Sequence, residues 1–211
     1  LYTVHRAMSI AAIRSLVSST AHKPIIFFGP SGSGKSTLAS HILTRYPSVF
    51  DLSVSATTRA IRPSERDGAS YYFLDRAQFK QKIDAGDFLE HMEYNGNYYG
   101  TPVHEISRII AAGRSPVLDI DVNGVRKFVE LFGEANSIRV FVNVTSEDVL
   151  RARLKGRNTE TEESLSGRLA ITLRELQFLA SNKLDTHTLD NNDLCSAKRT
   201  LDELVAEQYA L

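Results

Sequence analysis

The sequence predicts a single α/β domain: a mostly parallel sheet flanked by helices and interrupted by a small, partly antiparallel insert. Three observations predict it. Apolar runs bounded by turn residues alternate with stretches of helical period through most of the 211 residues, the pattern of strand–helix units around a parallel sheet. Ile25-Ile26-Phe27-Phe28 is apolar at every position, which suits a strand covered on both faces. Between Phe50 and Tyr99, short strand-like pieces surround one helix, which breaks the alternation and marks the insert. The length suits one hydrophobic core with insertions and does not require two.

The elements follow in order. Ile25 to Phe28 runs directly into glycines, and Leu38, Ile42 and Leu43 keep a helical spacing until Pro47, so the next helix begins inside the glycine-rich segment. In the insert, Leu52 to Ser55, Tyr71 to Phe73 and Phe88 to Tyr94 read as strands around a helix from Asp75 to Ala85, stopped by Gly86. Asn95-Gly96-Asn97 turns the last of these back into Tyr98-Tyr99. Thr101-Pro102 predicts an N-cap followed by proline at the first helical position, and Gly113 ends that helix. Pro116 to Ile120 and Ile138 to Val144 predict central strands separated by a helix ending near Gly133, and Ser146-Glu147-Asp148 predicts the cap of the next helix. Gly156 to Glu163 is rich in Gly, Arg, Thr and Glu; it can bury little and predicts a mobile segment, followed by a long helix from about Ser164. Asp193 to Gln208 predicts a final amphipathic helix. These divisions give a core region of 24–52 and 102–211, an insert of 53–101, and a preceding segment, 1–23, of unassigned role.

Lys plus Arg and Asp plus Glu each number 25. No overall positive field exists to hold a nucleic-acid polymer or an anionic membrane, so any phosphate binding must be local. Cys195 is the single cysteine and cannot form an internal disulfide, which fits a reducing compartment and a cytoplasmic location. No apolar run approaches the roughly 20 residues of a membrane span. Residues 1–23 carry His5, Arg6, Arg14, His22 and Lys23 but no acid, a composition open to an organelle-targeting signal or an additional helix.

Gly29-Pro30-Ser31-Gly32-Ser33-Gly34-Lys35-Ser36 has the spacing of a phosphate-binding loop, both outer glycines, the lysine and the hydroxyl in place. Its backbone N–H groups and the helix start behind it, Thr37 included, suit a nucleoside triphosphate. Lys35 would reach the β- and γ-phosphates, and the Ser36 hydroxyl would meet Mg²⁺. The loop alone does not say what becomes of the triphosphate. Downstream, Ser53-Val-Ser-Ala-Thr-Thr-Arg59 is followed by Arg62, Glu65, Gly68 and Tyr71. Two guanidiniums three residues apart, with a phenol nearby and a second at Tyr99, make a compact clamp for a dianionic phosphate.

With these residues the chain resembles the guanylate kinase family, from about Pro24 to the C-terminus. The resemblance is carried by the phosphate loop, Ser53 to Arg62 with Glu65, Glu90-His-Met-Glu-Tyr-Asn-Gly96-Asn-Tyr-Tyr-Gly100, Leu118-Asp-Ile-Asp121 and Gly156-Arg-Asn-Thr-Glu-Thr-Glu162. It implies a P-loop kinase fold with a GMP-binding insert and a lid at about 153–168, and an enzyme that moves the γ-phosphoryl of Mg·ATP onto GMP, and dGMP as well. It further implies that Arg59, Arg62, Tyr71 and Tyr99 hold the GMP phosphate. Ser55, Glu90, Thr101 and Asp121 would surround the guanine, whose adjacent N1–H and N2–H donors one carboxylate can accept as a pair. Asp119 would lie near the Mg²⁺–phosphate centre through water and beside GMP; Asp121 would face the GMP side, and either aspartate suits a helix N-cap as well. Arg153, Arg157 and Arg168 would supply cations as the lid closes over ATP, with catalytic roles shared by Lys35 and Arg59. Asn191 would touch the adenine edge. The partners expected are GMP and ATP alone, with no nucleic-acid polymer or membrane, in a monomer or weak dimer. The competing reading is a catalytically inactive module of the same fold that binds protein partners.

Overall fold

The computed structural model describes residues 10–19, 23–63, 65–94, 96–145, 149–150, 153 and 185–211. Its main sheet holds five parallel strands: β1 (Ile25–Phe28), β2 (Phe50–Leu52), β7 (Ser115–Asp119), β8 (Ile138–Asn143) and β9 (His187–Asp190), ordered β2-β7-β1-β8-β9. β1 sits at the centre, with Phe27 in register with Asp119 on one side and Val140 on the other. Its side chains alternate between the two faces. Ile26 and Phe28 join one core cluster, Ile25 and Phe27 the other, so an uninterrupted apolar run is what a doubly covered strand requires.

The first cluster lies beneath α1 (Ile10–Ser19), α4 (Val103–Ala111) and α5 (Val122–Phe132). The second lies beneath α2 (Lys35–Arg45) and the C-terminal helix α6 (Leu194–Tyr209). Residues 10–19 form a helix docked on the core: Ile13 and Val17, one turn apart, are both 1% exposed. Arg14 Nε donates to the carbonyl of Leu131 at 2.5 Å, near the end of α5, where a cation meets the negative end of the helix dipole.

A second sheet, ordered β4-β3-β6-β5, is made by β3 (Ala56–Thr57), β4 (Tyr72–Phe73), β5 (Phe88–Tyr94) and β6 (Asn97–Pro102). β3 runs parallel to β4 and antiparallel to β6, and β5 and β6 form an antiparallel pair. α3 (Arg76–Asp84) packs over it, started by a capping box between Asp75 and Gln78.

Two expectations are corrected and one strand is added. Leu52 to Ser55 is not a strand of the insert: β2 belongs to the main sheet, and 53–55 carries the chain across to the second sheet, with Val54 N–H taken by the Glu105 carboxylate. Thr101 does not cap α4. It ends β6 with Pro102, which occupies the N-cap position without a side-chain hydrogen bond, while the Thr101 hydroxyl is committed to Glu90. β9 was not anticipated, because only Leu189 of its four residues is buried and an edge strand of His, Thr and Asp carries no apolar alternation. The cap at Ser146 to Asp148, the segment 156–163 and the helix from 164 lie outside the described residues.

Candidate active site

β1 and β7 end at the same edge of the main sheet, the position where open parallel sheets bind ligands. The loop from Gly29 to Gly34 leaves β1 there and hands over to α2. Gly29 has φ +128°, and a Cβ would stand 2.6 Å from the carbonyl oxygen of Val142; Gly34 has φ +97°, and a Cβ would overlap the Asn191 amide nitrogen. Both positions therefore exclude any side chain on two separate grounds. The loop is held from behind. The Asn191 Nδ2 donates to Ser33 O at 2.6 Å, and Arg153 Nη1 reaches the same carbonyl at 3.4 Å. Asn191 is 2% exposed, and its main-chain N–H donates to Asn143 O at the end of β8.

Lys35 Nζ donates to the carbonyls of Gly29 (2.8 Å) and Pro30 (3.1 Å), arching over the loop. The Ser36 hydroxyl donates to Asp119 Oδ2 at 2.8 Å. Ser36 and Thr37 are exposed at the start of α2, whose N-terminal amides and dipole favour an anion.

The second group comes from the insert. Glu65 clasps Arg59 in a two-pronged ion pair, Nη1 to Oε2 at 3.0 Å and Nη2 to Oε1 at 2.8 Å, and also accepts the main-chain N–H of Arg62. The hydrogen bonds from Arg59 hold the Glu65 carboxyl below its ordinary range, and Glu65 in turn raises the guanidinium. The Arg59 guanidinium lies 5.5 Å from the centre of the Tyr71 ring and 5.8 Å from that of Phe73, and Tyr71 meets Tyr99 edge to face at 6.3 Å. Burial first, and then the charge of Asp119, pushes the Tyr71 phenol up to about 12, so it stays a protonated donor. Arg62 is exposed beside this cluster.

The third group lies between the sheets. The Thr101 hydroxyl donates to Glu90 Oε1 at 2.6 Å. Burial, reinforced by the charge of Asp121, pushes the Glu90 carboxyl up to about 7 even though Thr101 opposes the shift. Asp121 caps α5, accepting the Gly124 N–H at 2.8 Å. Glu90, Asp121, Asn123, Gly124 and Lys127 share a cleft of about 330 Å³ between β5 and α5. Ser55 stands in the crossing segment, where its carbonyl accepts the Tyr72 N–H.

The structure thus brings together Gly29 to Ser36 with Asp119, Arg153 and Asn191; Arg59 with Tyr71 and Tyr99; and Glu90 with Thr101 and Asp121. Arg157 and Arg168 lie outside the described residues. Glu65, named in the sequence only as part of a spacing, is the residue that aims the clamp; the signal for it is a carboxylate at three and six residues from the two arginines. Among the described residues no three His, Cys, Asp or Glu side chains cluster as metal ligands, and no helix is long and apolar enough to cross a membrane.

A glycine-bound anion loop at a strand end, facing an arginine–tyrosine clamp on a separate small sheet, defines an α/β protein of the P-loop kinase class. The guanylate kinase family model matches residues 21–208. The chain belongs to the guanylate kinase family. It is 41% identical over 186 residues to a guanylate kinase of Sus scrofa, covering 88% of this chain and 93% of the relative. It is 42% identical over 170 residues to one of Chlorobium chlorochromatii (strain CaD3), covering 81% and 87%. The crystal structure of guanylate kinase from Anaplasma phagocytophilum superposes with a TM-score of 0.63 at 30% identity, covering 88% of this chain and 86% of that one.

Proposed function

We propose that the chain is a working guanylate kinase, an ATP:GMP phosphotransferase, with the triphosphate in the 29–36 loop and GMP between Arg59 and Glu90. One observation carries this reading: Asp119 accepts the Ser36 hydroxyl of the phosphate loop, and its charge is felt by Tyr71 of the arginine clamp. This supports a reading in which the two phosphate sites lie on either side of Asp119, as transfer between two bound nucleotides demands.

The loop amides and the start of α2 would hold the β- and γ-phosphates, and Lys35 would exchange its two carbonyl partners for phosphate oxygens. A hydroxyl and a carboxylate oxygen 2.8 Å apart beside that loop are hard donors that fit Mg²⁺. Ser36 would hold the ion, with Asp119 through water, and the ion when bound would supply charge neutralisation across the phosphates. Arg59, aimed by Glu65, with Arg62, Tyr71 and Tyr99, would hold the GMP phosphate in line. Arg153, which reaches Ser33 O, would stand beside the transferred group, with Arg157 and Arg168 as further cations of a closing lid.

Glu90 would accept guanine N1–H and N2–H, with Thr101 fixing its orientation, Asp121 beside it and the Ser55 hydroxyl turned to the purine acceptors. Adenine presents a lone pair at N1 and would leave the carboxylate unpaired, a cost of several kcal/mol or roughly a thousandfold in selectivity. Coupled assays with Mg·ATP and GMP, AMP, CMP or UMP test this. Turnover with GMP at least about a thousandfold above AMP in kcat/KM is expected. Equal rates would refute the guanine site, and no turnover with any monophosphate would favour the inactive module.

A further inference from the structure

The chain crosses between the two sheets at 53–55 and again where β6 passes into α4. Glu105, in the first turn of α4 and 1% exposed, lies two residues beyond Val103, the first residue after the second crossing. Its carboxylate reaches back to the first. Oε2 accepts the Val54 N–H at 3.0 Å and Arg108 Nη2 at 3.0 Å; Oε1 accepts the Tyr72 hydroxyl at 3.0 Å and Arg108 Nε at 3.2 Å. Burial alone would push this carboxyl up, but the Arg108, Val54 and Tyr72 hydrogen bonds together hold it below its ordinary range, so it remains a buried anion.

The partners divide between two bodies. Arg108 ties the carboxylate to the main sheet through Asp51 Oδ2 at 2.8 Å and Leu52 O at 3.3 Å, and Arg114 grips the same Asp51 oxygen at 2.7 Å. Val54 and Tyr72 belong to the insert side. Val54 lies two residues before β3, the strand that leads into Arg59, and Tyr72 is the neighbour of Tyr71 and pairs with Ala56 across β3 and β4. One buried charge, on the helix that follows the second crossing, thus holds the first crossing just before the strand that leads into Arg59 and holds the residue beside Tyr71.

We propose that Glu105 is a positioning residue for the monophosphate site: it sets where the insert's Arg59 and Tyr71 stand relative to the phosphate loop. The inference rests on the reading of the insert as the GMP site. A carboxylate serving only core stability would have its bonds within the core; half of these cross to the insert. A small tilt at this clasp is amplified at the reacting phosphate, where misplacement by about 1 Å can cost up to a hundredfold.

The test uses Tyr72→Phe, which removes only the insert-side hydroxyl and keeps the ring and the Glu105–Arg108 pair, together with Glu105→Gln and Arg59→Ala. Initial rates are fitted for KM of each nucleotide, and thermal melts are recorded alongside. Tyr72→Phe and Glu105→Gln should each raise KM for GMP by about fivefold or more and leave KM for ATP within about twofold. A structural role alone would lower the melting temperature and leave both KM values in place, or move them together, and either result overturns the inference. Arg59→Ala separates the two levels. If it raises KM for GMP while the other two variants do not, the clasp is refuted and the site stands; if it leaves KM for GMP unchanged, the site reading falls and the inference with it.

Discussion

Glu90→Gln tests the guanine site through stability and kinetics at once. In the nucleotide-free protein the carboxyl is pushed up to about 7 from an ordinary 4.5, chiefly by burial. The sign follows from linkage: a raised folded-state pKa favours the protonated form, so its contribution is fully present below about pH 4.5 and is lost as pH rises through about 7. The full gap corresponds to roughly 3 kcal/mol, and because the side chain is only partly buried, about 2 kcal/mol is expected. Glutamine keeps the shape without the charge. Urea unfolding of the nucleotide-free variant should therefore show a gain of about 2 kcal/mol over the parent at pH 8.5, shrinking below 1 kcal/mol near pH 5. Kinetics should move the other way. An amide presents N–H where guanine presents N–H, so KM for GMP should rise by roughly thirtyfold or more at pH 8.5, with a narrowed preference over AMP. In the parent, KM for GMP should climb about tenfold for each pH unit below 7 as Glu90 takes up a proton. The GMP phosphate itself titrates near 6 and affects both proteins, so the ratio of variant to parent isolates Glu90. A variant no more stable at high pH, or one with unchanged base selectivity, would refute the reasoning.

Lys35→Ala should lower kcat by about a hundredfold, roughly 3 kcal/mol of transition-state stabilisation, with an unchanged melting temperature. Gly34→Ala forces a Cβ onto the Asn191 amide at φ +97°; differential scanning fluorimetry should show a loss of about 1–3 kcal/mol, and KM for ATP should rise. Glu65→Gln releases one arm of the grip on Arg59: KM for GMP should increase by about tenfold with KM for ATP unchanged, a split that initial-rate kinetics would detect.

What the sequence made legible was local. The phosphate loop combines a buried strand, glycines that need positive φ and a helix start within a dozen residues, so its mechanics can be read from spacing alone. The helix at Arg76–Asp84 was equally plain, because Gly86, with its positive φ, stops it at its own end in the chain. The roles that escaped depend on partners far away in sequence. Thr101 looks like a helix cap until Glu90, across the β5–β6 pair, claims its hydroxyl. Asn191 looks like a turn residue, yet its amide props up Ser33 from two strands away along the same sheet edge. Of the partners of Glu105 only Arg108, one turn on in the same helix, is local; Val54 in the crossing segment and Tyr72 in the second sheet are distant in the chain. The N-cap role of Asp121 on α5, by contrast, was legible from its place just after a strand, and its charge on Glu90 adds a second use.

The most direct measurement is a crystal structure with GMP and a non-hydrolysable ATP analogue bound together. The account predicts the monophosphate against Arg59, Tyr71 and Tyr99, the guanine edge on Glu90, and the triphosphate on the amides from Gly29 to Ser36. A guanine edge seated away from Glu90, or a monophosphate that leaves Arg59 paired only with Glu65, would contradict it.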